Sequence, residues 1–232
     1  MSDRVGASVW AENLHEELAF WRSWFEEERF REGREARRAA LSRGFAPTIE
    51  SELALQPGEQ LRVLDVGSGP LSTLPTSAPR NPVELVCLDA LAREYNELLA
   101  EFSYDECPRI RWGVGEALVD LFGEDSFHYV NIANALDHCK DPAETFVQMY
   151  RVCRPGGKIV VVSVENEGER EGYAGLHQWN LEASDAGIRL WNSVVDRNLL
   201  DAIPSAHTYS WSAERRDSSF TVFVATIGKQ RA

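Results

Sequence analysis

The chain has 232 residues, 44% of them apolar, and its 24 Lys and Arg against 37 Asp and Glu give a formal net charge of −13. Length and apolar share suit one domain around a single sizeable core. The acidic balance excludes nucleic acid, whose phosphates need a basic groove, and argues against an anionic membrane surface; small neutral or cationic ligands remain compatible.

The opening stretch, MSDRVGASVWAENLHEEL, has no basic end followed by an apolar run, so no secretory leader is read there. No apolar run approaches the roughly 20 residues of a membrane span. Cys87, Cys107, Cys139 and Cys153 are widely spaced, form no CxxC pair and read as reduced structural thiols, which points to the cytoplasm. Residues 9–43 carry Trp10, Leu14, Leu18, Trp21, Trp24 and Phe25 at three- and four-residue steps, which predicts a helix with one apolar face, broken or bent at Gly33. That face reads first as core or lid. A short helix with Ile49, Leu53 and Leu55 follows Pro47 and ends at Pro57-Gly58. Residues 1–58 thus form a helical cap, ahead of a core over 59–232.

From residue 61 strands and helices alternate. LRVLDVG (61–67), VELVCLDA (83–90), RIRWGVGE (109–116), FHYVNIANAL (127–136) and KIVVVSV (158–164) are apolar runs suited to buried parallel strands. Helices are predicted over 90–102, 116–123 and 142–153, the last stopped by Arg154-Pro155-Gly156-Gly157. After a further helix around 183–202, AHTYSWSA (206–213) and SSFTVFVATIG (218–228), joined by Glu214-Arg215-Arg216-Asp217, form an antiparallel hairpin. The fold class is α/β: a doubly wound, mostly parallel seven-stranded sheet ending in an antiparallel hairpin, with an N-terminal helical cap.

Chemistry concentrates at the strand ends. In Val63-Leu64-Asp65-Val66-Gly67-Ser68-Gly69-Pro70 the glycines let backbone approach a ligand at the carboxyl end of the first strand, and Asp65 can orient the loop or accept from a ligand ammonium. The dinucleotide fingerprint wants a third glycine where Ser72 stands, and Pro70 suits a phosphate-binding helix start poorly. Asp89 ends the second strand, where a carboxylate can accept both hydroxyls of a ribose. Together these residues point to an adenosine-type ligand without a diphosphate.

The ordered set resembles the class I S-adenosylmethionine-dependent methyltransferase family over roughly residues 60–228. VLDVGSGP resembles the family's cofactor loop, LDA (88–90) its acidic second motif, and Gly115-Glu116-Ala117 its adenine-side segment. FHYVNIANALDHCKDP and MYRVCRPGGKIVVVS resemble its fourth-strand motif and the turn before its fifth strand, and the terminal hairpin its last two strands. His128 stands where the family often has Asp. The resemblance implies S-adenosylmethionine as cofactor, held by Asp65, Gly67, Ser68, Gly69, Pro70, Asp89, Ala90, Gly115, Glu116, Ala117 and Asn134; charge complementarity alone puts Arg43 near the methionine carboxylate.

It implies direct methyl transfer; the residues near 137–138 and 165–180 point to a hydroxyl of a sugar or other small polar acceptor. His138 is the expected base, or else packs beneath the cofactor; Asp137 is its partner and His177 a second acceptor-side contact. Tyr173 and Trp179 are expected to stack on the acceptor, with Gln178 and Asn180 as hydrogen-bonding partners. Asp137 and Glu165 could supply oxygens to Mg²⁺. Amine or carboxylate acceptors, a non-catalytic module and a nicotinamide oxidoreductase are the other readings. The last is disfavoured by Ser72, Pro70 and the hairpin.

Overall fold

The computed structural model describes residues 7–216 and 219–231, with side chains from residue 10 onward. Asp217 of the expected hairpin link, Ser218 at the start of the last predicted strand, and the first six residues lie outside the described residues. In chain order the helices are α1 (Ala7–Glu26), α2 (Arg31–Ser42), α3 (Pro47–Glu52), α4 (Ala92–Glu101), α5 (Leu118–Phe122), α6 (Pro142–Val152) and α7 (Glu167–Arg170). The strands are β1 (Leu61–Val66), β2 (Val83–Asp89), β3 (Ile110–Trp112), β4 (Phe127–Ala133), β5 (Cys153–Val164), β6 (Asn180–Ser184), β7 (Gly187–Trp191), β8 (Asp196–Asn198), β9 (His207–Arg216) and β10 (Phe220–Lys229).

Seven strands form the main sheet in the order β3-β2-β1-β4-β5-β10-β9. The first five are parallel, and β10 and β9 are antiparallel to their inner neighbours. This is the expected sheet. The strand order reverses between β1 and β4, and such a switch point opens a crevice at the carboxyl ends of the strands. The hairpin link is tighter than expected: β9 continues through Glu214–Arg216, and Arg216 faces Phe220.

Three features depart from the sequence reading. The helix expected around 183–202 is a three-stranded antiparallel sheet, β6-β7-β8, closed by a single turn of 3₁₀ helix at Leu199–Ala202. Its alternation is visible in β7, where Ile188 and Leu190 are buried and Arg189 is exposed. Such a period of two belongs to a strand. Gly187, at φ +130°, turns the chain between β6 and β7.

The second departure lies between β1 and β2, where no helix forms and residues 67–82 run as coil. Pro70, Pro75, Pro79 and Pro82 punctuate that stretch and remove backbone donors a helix would need. The N-terminal helices cover it. Leu53, Leu55, Leu61, Val63 and Leu74 form one apolar cluster, and Arg80 donates from both backbone and side chain to the fully buried Glu50.

The third concerns the break in the first helix. It falls at residues 27–30, through a 3₁₀ turn, and Gly33 continues inside α2. A Cβ on Gly33 would come 3.2 Å from Cζ2 of Trp24, so the glycine permits close packing of α2 on α1. Trp21, Trp24 and Phe25 of α1 pack with Tyr95, Leu98 and Leu99 of α4. Each such buried aromatic contributes on the order of 2–3 kcal/mol of hydrophobic stabilisation. The cap and the core share that cluster.

Candidate active site

The crevice at the switch point is walled by the carboxyl ends of β1, β2 and β4 and roofed by Trp10, Leu14, Glu17 and Trp21 of α1. Gly67, Ser68, Gly69, Asp89, Ala90, Gly115, Glu116 and Asn134 line it. Gly67 and Gly69 hold φ of +61° and +59°, a region that penalises any Cβ. A Cβ on Gly67 would lie 2.5 Å from Cβ of Ala135, and one on Gly69 3.0 Å from Cζ2 of Trp21. The loop is therefore thin both above and below, with backbone facing the crevice.

Asp89 accepts from Gly69 N–H (3.0 Å) and Leu91 N–H (2.9 Å), one on each oxygen. Each carboxylate oxygen keeps a further lone pair for a ligand hydroxyl. Burial pushes the Asp89 carboxyl up to about 6, against the pull of those two N–H groups.

Four residues assigned to the cofactor on sequence grounds sit elsewhere. Asp65 is buried, and its oxygens accept from Ser72 Oγ (2.6 Å) and Asn131 Nδ2 (2.7 Å), so it orients the loop. Burial raises its pKa, with those hydrogen bonds and Arg37 opposing. Pro70 and Ala117 do not line the crevice. Arg43 is exposed at the end of α2. The guanidinium that does line the crevice is Arg37, which donates to the Leu71 carbonyl (2.6 Å) and lies over the rings of Trp21 and Trp24. Burial lowers its pKa.

A second cavity adjoins the crevice, sharing Glu17, Trp21, Arg37, Asn134, His138 and Leu176 with it. Its remaining wall comes from Asn13, Glu16, Phe20 and Trp24 of the N-terminal helix and from Glu167, Glu171, Ala174, Gly175 and His177. Asn13 Nδ2 ties the two sides together by donating to the Gly175 carbonyl (2.7 Å).

At the border of the two cavities three side chains converge. His177 Nδ1 lies 2.9 Å from Asp137 Oδ2 and 3.1 Å from His138 Nε2, and the last two atoms are 3.5 Å apart. Asp137 is 1% exposed, and its Oδ1 has no hydrogen-bond partner. Burial raises the Asp137 pKa, but His138 and His177 outweigh it and the net direction is down. Burial disfavours the His177 cation, yet Asp137, Glu167 and Glu171 outweigh that and raise its pKa. Burial and the neighbouring Asp137 raise Glu167. The backbone of this segment is pinned by Trp10 Nε1, which donates to the His138 carbonyl (2.8 Å), and by Trp179 Nε1, which donates to that of Cys139 (3.2 Å).

Trp179 is thus no stacking platform: it is 2% exposed, within the main core. Asn180 is fully buried and accepts from Glu169 N–H while donating to the Tyr173 hydroxyl. Gln178 donates to the Tyr173 and Gly175 carbonyls. None of these three, nor Tyr173, lines the second cavity. Glu165 lines neither cavity; burial and Glu182 raise its pKa, and it is not among the converging atoms.

Sequence reasoning missed Glu17, Arg37 and Glu167. Glu17 was accessible, because it falls on the same face as Trp10, Leu14 and Trp21 at three- and four-residue steps, a carboxylate on an apolar stripe. Arg37 reaches the crevice only because the chain turns at residues 27–30, which no periodicity signals.

A family profile described as a methyltransferase domain matches residues 64–161, the span from the glycine loop through the fourth-strand motif to β5. Over those residues the chain is similar to methyltransferase domains. The Legionella pneumophila (strain Corby) ubiquinone/menaquinone biosynthesis C-methyltransferase UbiE is 31% identical over 112 residues, 47% of this chain and 44% of that protein. Phosphoethanolamine N-methyltransferase 2 of Caenorhabditis elegans is 26% identical over 106 residues, 46% of this chain and 24% of its own length. The chain thus matches less than half the length of each curated relative. Among solved structures, the CurJ carbon methyltransferase superposes with a TM-score of 0.55 at 16% identity, covering 79% of this chain and 52% of that one, a likeness of fold. The relatives' names span carbon and nitrogen acceptors, so the similarity leaves the methylated atom open.

Proposed function

We propose that the chain binds S-adenosylmethionine in the β1–β2–β4 crevice and transfers its methyl group to a hydroxyl of a small polar acceptor, such as a sugar, held in the second cavity. The observation that carries this reading is the convergence of Asp137, His138 and His177 where the two cavities meet. The crevice fits the cofactor: a thin glycine loop, the Asp89 carboxylate for the ribose, and Arg37 for the methionine carboxylate. The bound cofactor supplies an electrophilic methyl on a sulfonium. The protein holds the acceptor oxygen in line with it, excludes water beneath α1, and takes the hydroxyl proton onto the His138–His177 pair, which Asp137 orients.

Calorimetric titration with S-adenosylmethionine, S-adenosylhomocysteine and NAD tests the first half. Micromolar binding of the two adenosyl ligands supports it, and tight binding of NAD alone would sink it. For the second half, His138→Ala and His177→Ala should lower turnover on a hydroxylated acceptor while leaving cofactor affinity within about threefold.

One observation favours a second reading, transfer to an amine. Glu16, Glu17, Glu167 and Glu171 face the second cavity against the single guanidinium of Arg37, a field that attracts a cation. An amine that loses its proton before attack needs no base, so a preference for amines, unchanged in His177→Ala, would decide for it. We also propose a cytoplasmic setting, supported by four cysteines without disulfides; no described helix is long and apolar enough to cross a membrane.

A further inference from the structure

We propose that Asp137, His138 and His177 form a mononuclear site for a divalent transition-metal cation of the zinc, cobalt or iron(II) type, set between the two cavities. The three edges between the converging atoms measure 2.9, 3.1 and 3.5 Å. Metal–ligand bonds to imidazole and carboxylate run about 2.0–2.2 Å, and a point about 2.1 Å from all three atoms exists, roughly 1 Å off their plane. The angles subtended there lie between about 87° and 113°, the range between facial octahedral and tetrahedral ligation.

Hydrogen bonding alone does not satisfy this triangle. His177 Nδ1 carries at most one hydrogen, in the ring plane, yet faces Asp137 Oδ2 and His138 Nε2 at similar distances. Whichever partner it serves, the other contact goes unmet or becomes repulsive. A cation at the centre takes a lone pair from each of the three.

Asp137 supplies a second, independent sign. Its Oδ1 is buried without a partner on a residue that is 1% exposed, and a lone carboxylate oxygen in such a place is costly. A carboxylate that binds the ion through both oxygens, Oδ1 as well as Oδ2, removes that cost. The surroundings are also anionic: Glu17 Oε2 stands 4.0 Å from His138 Nδ1, the ring nitrogen a metal would leave free, and Glu167 faces the same group. A carboxylate behind a ligating histidine fixes its ring and raises its basicity.

The donor set selects the ion. Two imidazoles and one carboxylate suit zinc, cobalt and iron(II), whereas magnesium prefers oxygen ligands and keeps its waters. Glu165, which an all-oxygen magnesium site would recruit, is not part of the cluster. With the ion in place, an acceptor hydroxyl would bind it and lose its proton more readily, the task the bare imidazoles perform without it.

The site itself does not rest on the methyl-transfer reading, and its test omits cofactor and acceptor, so failure of one leaves the other standing. The untagged chain, stripped with a chelator, is titrated with Zn²⁺, Co²⁺, Mn²⁺ and Mg²⁺ by calorimetry and, for Co²⁺, by visible absorption. One Zn²⁺ or Co²⁺ per chain is expected, held more tightly than Mn²⁺ and far more tightly than Mg²⁺. His177→Gln and Asp137→Asn should each weaken Co²⁺ binding about tenfold or more and alter its spectrum. His207→Gln and Cys107→Ser, outside both cavities, should leave it unchanged. Asp137 is buried enough that its variant can misfold, so the half-buried His177 decides, with near-ultraviolet circular dichroism checking its fold. Absent binding, equal binding by His177→Gln, or a preference for Mg²⁺ would each overturn the proposal.

Discussion

Asp89 sits between opposed forces: burial raises its pKa to about 6, while two backbone N–H groups favour its charge. If the ionised form accepts the ribose hydroxyls, affinity for S-adenosylhomocysteine is at its plateau above that pKa and declines below it. The sign follows from linkage, because a ligand that needs the carboxylate must drive off a proton at low pH. From pH 7 to pH 5 the affinity should drop about tenfold, and Asp89→Asn should be weak throughout with little pH dependence. Arg37 and Arg43 make a sharper comparison. Arg37→Ala should weaken cofactor binding by about tenfold or more, the scale of one charge-assisted pair, and Arg43→Ala should not change it. Equal effects from both variants would remove Arg37 from the methionine end. The place of His128 is also explained at this scale. Its Nδ1 accepts from Arg62 N–H (3.0 Å), its Nε2 contacts Glu59, and Glu59 in turn pairs with Arg154, joining the starts of β1, β4 and β5.

Among the elements, α1 has the most to do, because one face packs on α4 and the same face roofs the crevice. Trp10 anchors its start to the loop after β4 through the His138 carbonyl and lies under the Lys140 ammonium. Trp10→Ala should raise the dissociation rate of S-adenosylhomocysteine roughly tenfold, read by stopped-flow fluorescence, with a change in melting temperature of only a few degrees. What the sequence disclosed follows the same division. The parallel strands were legible because burial on both faces makes continuous apolar runs such as LRVLDV. The region 183–202 was misread because its strands are short and half-polar, and their alternation spans only Gly187–Trp191. The coil of residues 67–82 departs from the expected alternation; its four prolines account for it locally, and what covers it is set by tertiary packing. At the site, strand-end residues such as Asp89 and His138 could be found from motif order. Partners carried by another element, such as Glu167 beside His177, depend on how β5 is followed by α7, which no local pattern encodes.

For the whole molecule, the helical cap before residue 58 and the core after it share apolar clusters. Leu53 and Leu55 belong to a cluster with β1, and Trp21 and Phe25 to one with α4. Deleting residues 1–58 would uncover both clusters and strip the helical cover from the coil of 67–82. The truncated chain should be largely insoluble, or lack a cooperative thermal transition by calorimetry. A sharp transition in that fragment would show instead that the helices are an accessory lid. The formal charge of −13 adds self-repulsion that the full chain must overcome through the same contacts.

The roof formed by α1 has a kinetic consequence. Trp21 and Glu17 face both cavities, so one helix stands over both. Two molecules that share a door cannot come and go independently. Cofactor entering first would be trapped when the acceptor fills the outer chamber, and the spent cofactor would leave only after the methylated product. On the proposed methyl transfer, a roof common to both cavities should make binding ordered, cofactor before acceptor, which product-inhibition kinetics with S-adenosylhomocysteine would check.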